Sequence, residues 1–150
     1  MNNQIEGVLF TVARQIENEG GAVLHLMRND SPQFVKFGEC YMSELFPGAI
    51  KAWKMHKLQT QNFSVPIGRI KLVLFDARED SETKNKLIEI ELGRPNSYYL
   101  VTIPPGVWYG FQSISALHSL IVNCTDMPHD KEESIGLDIS NTFIPYKWNF

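Results

Sequence analysis

Apolar and polar positions alternate with a period of two along most of this chain. That is the pattern of strands with one face buried, and a helical period is absent. The central stretch, residues 48–68, reads GAIKAWKMHKLQTQNFSVPIG. It opens on the turn signal Phe46-Pro47-Gly48, alternates, closes on Pro66-Ile67-Gly68 and runs straight into IKLVLF. Residues 70–78 stay apolar on both faces until Asp76, as expected for a strand in a sheet covered on both sides. Residues 87–92 interleave Leu87, Ile88, Ile90 and Leu92 with Glu89 and Glu91, the mark of a half-buried strand. Further strands are predicted at 22–28, 98–104, 107–114 and 117–125, with one or two more over 34–46. Turns separate them at Asn29-Asp30-Ser31-Pro32, in the charged loop 79–86, and at Pro104-Pro105-Gly106. Residues 1–17 predict either a strand and one helical turn or an arm that pairs with another subunit, and residues 126–150 read as loop-rich. Roughly eight to ten short strands with turn signals every 8–12 residues predict an all-β sandwich or barrel. With no linker or repeat, the chain is expected to form a single domain over residues 1–150.

Composition narrows the function classes. A net charge of -3 gives no general affinity for nucleic acid. No run approaches 18 apolar residues, and the N-terminus lacks a basic region followed by an apolar stretch. No membrane partner is therefore expected, and the cytoplasm is the expected compartment. The two cysteines, Cys40 and Cys124, form neither a disulfide framework nor a zinc pattern and are expected to be buried thiols.

Polar side chains within the central stretch need partners or a wet cavity, because burying one unpaired costs about 2–7 kcal/mol. Lys54, His56 and Gln61 share one candidate face and are expected to line a pocket. The spacing of this stretch resembles the first motif of the cupin jelly roll. From Gly48, five residues lead to Lys54, His56 follows after Met55, and Gln61 and Gly68 stand where that motif has its Glu and second Gly. The second motif resembles Pro104-Pro105-Gly106-Val107-Trp108-Tyr109, with Tyr109 in the place of a His. Of the four usual metal-ligand positions only His56 keeps a ligand, so no metal and no other cofactor is expected.

Within the cupins the chain is similar to the dTDP-4-dehydrorhamnose 3,5-epimerase family. GAIKAWKMH, IPPGVWYGF (residues 103–111) and LIVNCTD (residues 120–126) carry the resemblance. It implies a jelly roll, a homodimer formed by strand pairing of the N-terminal arm, and a nucleotide-sugar substrate. It implies further that the family's proton-abstracting His falls on Lys54, its Arg on Lys51, its acid Tyr on Val122 and another His on Tyr109. A second resemblance, Lys54-Met55-His56-Lys57-Leu58-Gln59-Thr60-Gln61, is to the sugar-nucleotide 3,4-ketoisomerases of the same group. Both reactions need a base with a pKa near 7 beside a ketone and a donor for the enolate oxygen. His56 is the natural base, with Lys54 and Tyr109 assisting. Arg28, Lys51, Arg69 and Lys71 are candidate phosphate binders. Trp53 is a candidate stacking surface and Gln61 a substrate contact, and the resemblance implies Asp138 as an acidic partner of the base. The expected function is metal-independent epimerisation or isomerisation of a 4-keto-6-deoxyhexose nucleotide. A 3,4-ketoisomerase and a non-catalytic cupin that binds a sugar or nucleotide are the alternatives.

Overall fold

A computed structural model describes residues 4–150. The first three residues of the predicted N-terminal arm lie outside it. The described residues form β1 (Leu9–Val12), β2 (Gln15–Asn18), β3 (Gly21–Leu24), β4 (Glu39–Leu45), β5 (Ile50–His56), β6 (Gln61–Ile67), β7 (Arg69–Asp76), β8 (Leu87–Gly93), β9 (Tyr99–Ile103), β10 (Val107–Ser113), β11 (Ser119–Thr125) and β12 (Ser134–Gly136). Two five-stranded antiparallel sheets, ordered β1-β9-β6-β11-β4 and β12-β5-β10-β7-β8, make an all-β jelly roll, and β2-β3 is a separate hairpin.

Sequence pattern and layers correspond closely. On β7, Ile70, Leu72 and Leu74 join Leu45, Phe63, Val65, Val101 and Ile121 between the sheets. Val73 and Phe75 point the other way, into a second cluster with Trp53, Trp108, Ile144 and Trp148. The C-terminal segment thus covers the outer face of this sheet, which is why β7 is apolar on both faces. Each such fully buried aliphatic side chain stabilises the fold by about 1.5–3 kcal/mol. On β8, Glu89 and Glu91 face solvent while Leu92 is buried, as the alternation required. Gly48 and Gly68 bracket the central hairpin at φ values of 75° and 76°. At Gly68 a Cβ would also stand 2.5 Å from Ser119 Oγ and 2.8 Å from the His118 carbonyl oxygen, so glycine is required twice over.

Residues 34–46, read as one or two strands, yield one, β4, from Glu39. Two expectations are corrected. Among the described residues the N-terminal segment has no helical turn: β1 pairs with β9 of the same chain, from Leu9 opposite Thr102 to Val12 opposite Tyr99, as an edge strand of its sheet. The cysteines are not buried, because β4 is an edge strand: Cys40 is exposed and Cys124, its cross-strand partner, is half-buried, with the Sγ atoms 3.3 Å apart.

Candidate active site

The site begins with an irregularity in β5. Tyr109 of β10 lies opposite Lys54, but Phe111, two residues on, lies opposite Lys51, three residues back. The extra residue is a β-bulge at Ala52-Trp53, against Gly110. A Cβ at Gly110 would stand 2.6 Å from Ala52 Cβ and 2.9 Å from the Trp148 ring, so only glycine admits the bulge. The bulge lets Lys51 and Lys54, three apart, face the same side, which strict alternation forbids.

Both lysines line a cavity of about 440 Å³ between the sheets. One wall is Lys51, Trp53, Lys54, Tyr109 and Phe111 on β5 and β10. The other is Tyr41 and Ser43 on β4, Phe63 on β6, and Ile121 and Asn123 on β11. Lys51 Nζ bridges the walls, donating to Ser43 Oγ at 2.9 Å and to the Glu44 carbonyl at 3.0 Å.

His56 is buried and is not among the lining side chains. It sits behind Tyr109, whose hydroxyl is 2.9 Å from Nε2, with the two rings stacked at 5.8 Å. On its other side Nδ1 bonds to Glu133 Oε1. Glu133 Oε2 accepts from the backbone N–H groups of Leu58 at 3.0 Å and Gln59 at 3.1 Å. These contacts fix the tautomer. Glu133 is an acceptor only, so Nδ1 carries the proton and donates. The lone pair is then on Nε2, where it accepts from the Tyr109 hydroxyl. Burial holds the imidazole below its ordinary pKa, against the opposing pull of Glu133. Burial pushes Glu133 up, but the bonds from His56, Leu58 and Gln59 more than offset this and leave it below its ordinary value. Burial drives the Tyr109 phenol well above its ordinary value. At neutral pH the chain is therefore carboxylate, neutral imidazole, neutral phenol.

The remaining predicted residues separate cleanly. Lys54, Tyr109 and Lys51 reach the cavity wall. Trp53 borders it, but its ring packs on Tyr146 and Trp148 on the outer face of the sheet, so the expected stacking surface is not presented to the cavity. Gln61 lies behind it, 1% exposed, donating to Gln59 Oε1 at 2.6 Å and accepting from Asn123 Nδ2 at 2.5 Å. Four residues are not brought to the cavity. Arg28 pairs with Asp30, and Arg69 with Glu91 across the β7–β8 pair. Lys71 Nζ sits over the rings of Tyr146 and Trp148, on the outer face of its sheet. Asp138 is exposed and accepts from Ser140, so the acidic partner of His56 is Glu133 instead. Val122 is not a lining residue, since its strand neighbours Ile121 and Asn123 take those places.

Sequence reading missed Glu133, Tyr41 and Asn123. Glu133 stands in DKEES, where nothing separates it from solvated charges. Asn123 carried a signal, a lone amide in the apolar run LIVNC.

The sequence profile of the dTDP-4-dehydrorhamnose 3,5-epimerase family matches residues 3–150. The chain belongs to this family. By family, then, it is a nucleotide-sugar epimerase. A crystal structure of a dTDP sugar isomerase from Desulfovibrio desulfuricans G20 is 50% identical, with a TM-score of 0.94, over 96% of this chain and 92% of that one. The probable low-salt glycan biosynthesis epimerase Agl13 of Haloferax volcanii is 33% identical over 118 residues, 77% of this chain and 75% of its own. The spore coat polysaccharide biosynthesis protein SpsL of Bacillus subtilis is 29% identical over 147 residues, 97% of each chain. A proton chain, Glu133–His56–Tyr109, is assembled next to the cavity.

Proposed function

We propose that this protein epimerises a 4-keto-6-deoxyhexose nucleotide at a carbon beside the ketone, in the making of a polysaccharide or other glycan. The observation that carries the reading is the chain Glu133–His56–Tyr109, ending at the cavity wall opposite Lys54. The phenol oxygen takes the proton from carbon while its own proton passes to His56 Nε2. Tyr109 ends this transfer neutral, so its raised pKa is no obstacle, and the charge is held by an imidazolium against Glu133. Lys54 supplies an ammonium group for the enolate oxygen in a cavity walled in part by the rings of Tyr41, Phe63, Tyr109 and Phe111, where such a contact is stronger than in water. Lys51 is the cavity residue assigned to the diphosphate, and Gln61 holds the wall from behind.

The test is proton NMR of dTDP-4-keto-6-deoxyglucose in deuterated water with catalytic protein. Deuterium entering beside the ketone, with an epimer as product, is the expected result. No exchange, with the nucleotide still bound, sinks the reading and leaves a binding cupin. The name of the half-identical dTDP sugar isomerase keeps a second reading in view. A 3,4-ketoisomerase exchanges at C3 and yields a 3-keto product.

The working unit we infer is a homodimer, in the cytoplasm. Among the described residues no helix is long and apolar enough to cross a membrane. β1 and β4 are the two edges of one sheet, and the support for a dimer lies at β4. On or beside β4, Met42, Phe46, Val35 and Phe37 are 68%, 66%, 69% and 71% exposed. An unpaired edge with such a patch is a template for a second copy. Sedimentation is expected to give a dimer, and Met42→Glu to shift it toward monomer; a monomeric wild type overturns the assignment.

A further inference from the structure

Inverting a carbon requires a proton to leave one face and another to arrive on the opposite face. Moving a proton between neighbouring carbons of a ketoisomerase substrate needs only one face. The cavity offers a second phenol on the wall across from Tyr109. Tyr41, on β4, lines the cavity from the other sheet. Its oxygen accepts from Asn123 Nδ2 at 2.9 Å. The orientation of that amide is not arbitrary, because Asn123 Oδ1 accepts the backbone N–H of Asn62 at 3.0 Å. Nδ2 must therefore face Tyr41, and with that amide as donor the Tyr41 hydroxyl proton is left to point into the cavity. Asn123 Nδ2 also donates to Gln61, which bonds to Gln59, whose N–H binds Glu133. One buried amide network thus braces the supports of both phenols. Tyr41 is itself 39% exposed, so it can exchange protons with solvent.

We propose that Tyr41 is the catalytic acid of the epimerisation, delivering a proton to the face of the carbanion opposite Tyr109. The inference rests on the epimerase reading above. The balance is simple. The C–H proton moves through Tyr109 to His56, leaving an enolate. The Tyr41 O–H bond then breaks, its proton forms the new C–H bond, and the phenolate left behind keeps the hydrogen bond from Asn123. Solvent reprotonates Tyr41, and the proton held on Tyr109 and His56 exchanges with solvent, during the life of the enolate or after the product leaves.

The test uses the full chain and Tyr41→Phe, followed by proton NMR with dTDP-4-keto-6-deoxyglucose in deuterated water. The expected result is that deuterium still enters the unreacted substrate through Tyr109 and His56, while epimer formation falls by about 100-fold or more. Calorimetry with dTDP is expected to give an affinity within about twofold of wild type, as removing one hydroxyl from the wall alters no phosphate contact. Epimer formation at the wild-type rate overturns the role of Tyr41 and leaves the epimerase reading standing. Loss of substrate exchange together with epimer formation overturns the division of labour between the two phenols. A wild type that neither exchanges nor epimerises overturns the epimerase reading, and the role of Tyr41 with it.

Discussion

Tyr109→Phe is expected to slow deuterium exchange beside the ketone by about 10²–10⁴-fold, the usual weight of a positioned acid–base group. Tyr109 is the one member of the proton chain that lines the cavity, and His56 lies behind it. The ring itself is held by Phe63 at 5.2 Å and Phe111 at 6.4 Å, contacts that phenylalanine keeps. Nucleotide affinity and thermal stability should therefore change little. His56→Ala is expected to lose a similar factor through the far end of the same chain. If Tyr109→Phe exchanges faster than wild type while His56→Ala is dead, the phenol is a shutter over a directly acting His56, and the relay is wrong. In the wild type, kcat/KM should fall on the acid side as His56 gains a proton, because an imidazolium cannot accept one. Burial lowers that pKa, so the fall lies below the ordinary histidine value of about 6.5.

The fold was legible because a period-two pattern with turn signals leaves few architectures, and because β7 announced a sheet covered on both faces. The site was only half legible. Lys54, His56 and Tyr109 stood in recognisable registers, and the structure brings them together. The bulge at Ala52-Trp53 was invisible, since it depends on Gly110 of another strand and on Trp148 packed outside the sheet. The cations failed for a general reason. Arg28, Arg69 and Lys71 look alike in sequence, and which one meets a ligand is decided by where the fold puts each: Arg28 in a loop beside Asp30, Arg69 beside Glu91, and Lys71 on the outer face of its sheet. Asp138 and Glu133 lie five residues apart in one acidic, loop-rich segment. Only the pairing of β12 with β5, Ser134 opposite His56, selects the second over the first.

Glu133→Gln is the more searching substitution, because it preserves shape and changes only where protons sit. The backbone N–H groups of Leu58 and Gln59 require an acceptor, so the new amide must turn its oxygen toward them. Its NH₂ then faces His56 Nδ1, which must become the acceptor, and the imidazole proton moves to Nε2. Tyr109 can no longer donate to that nitrogen, and the relay is broken with every heavy atom in place. Turnover should fall by up to about 10⁴-fold, as when the carboxylate that sets the tautomer in a Ser-His-Asp triad is made an amide. Dimer formation and dTDP binding should be nearly unchanged. Glu133 also raises the pKa of His56 against burial, so its loss should move the acid limb of the remaining activity to lower pH. A purely structural Glu133 predicts the reverse on each count: a lowered melting temperature, an unmoved acid limb, and a rate per folded molecule close to wild type.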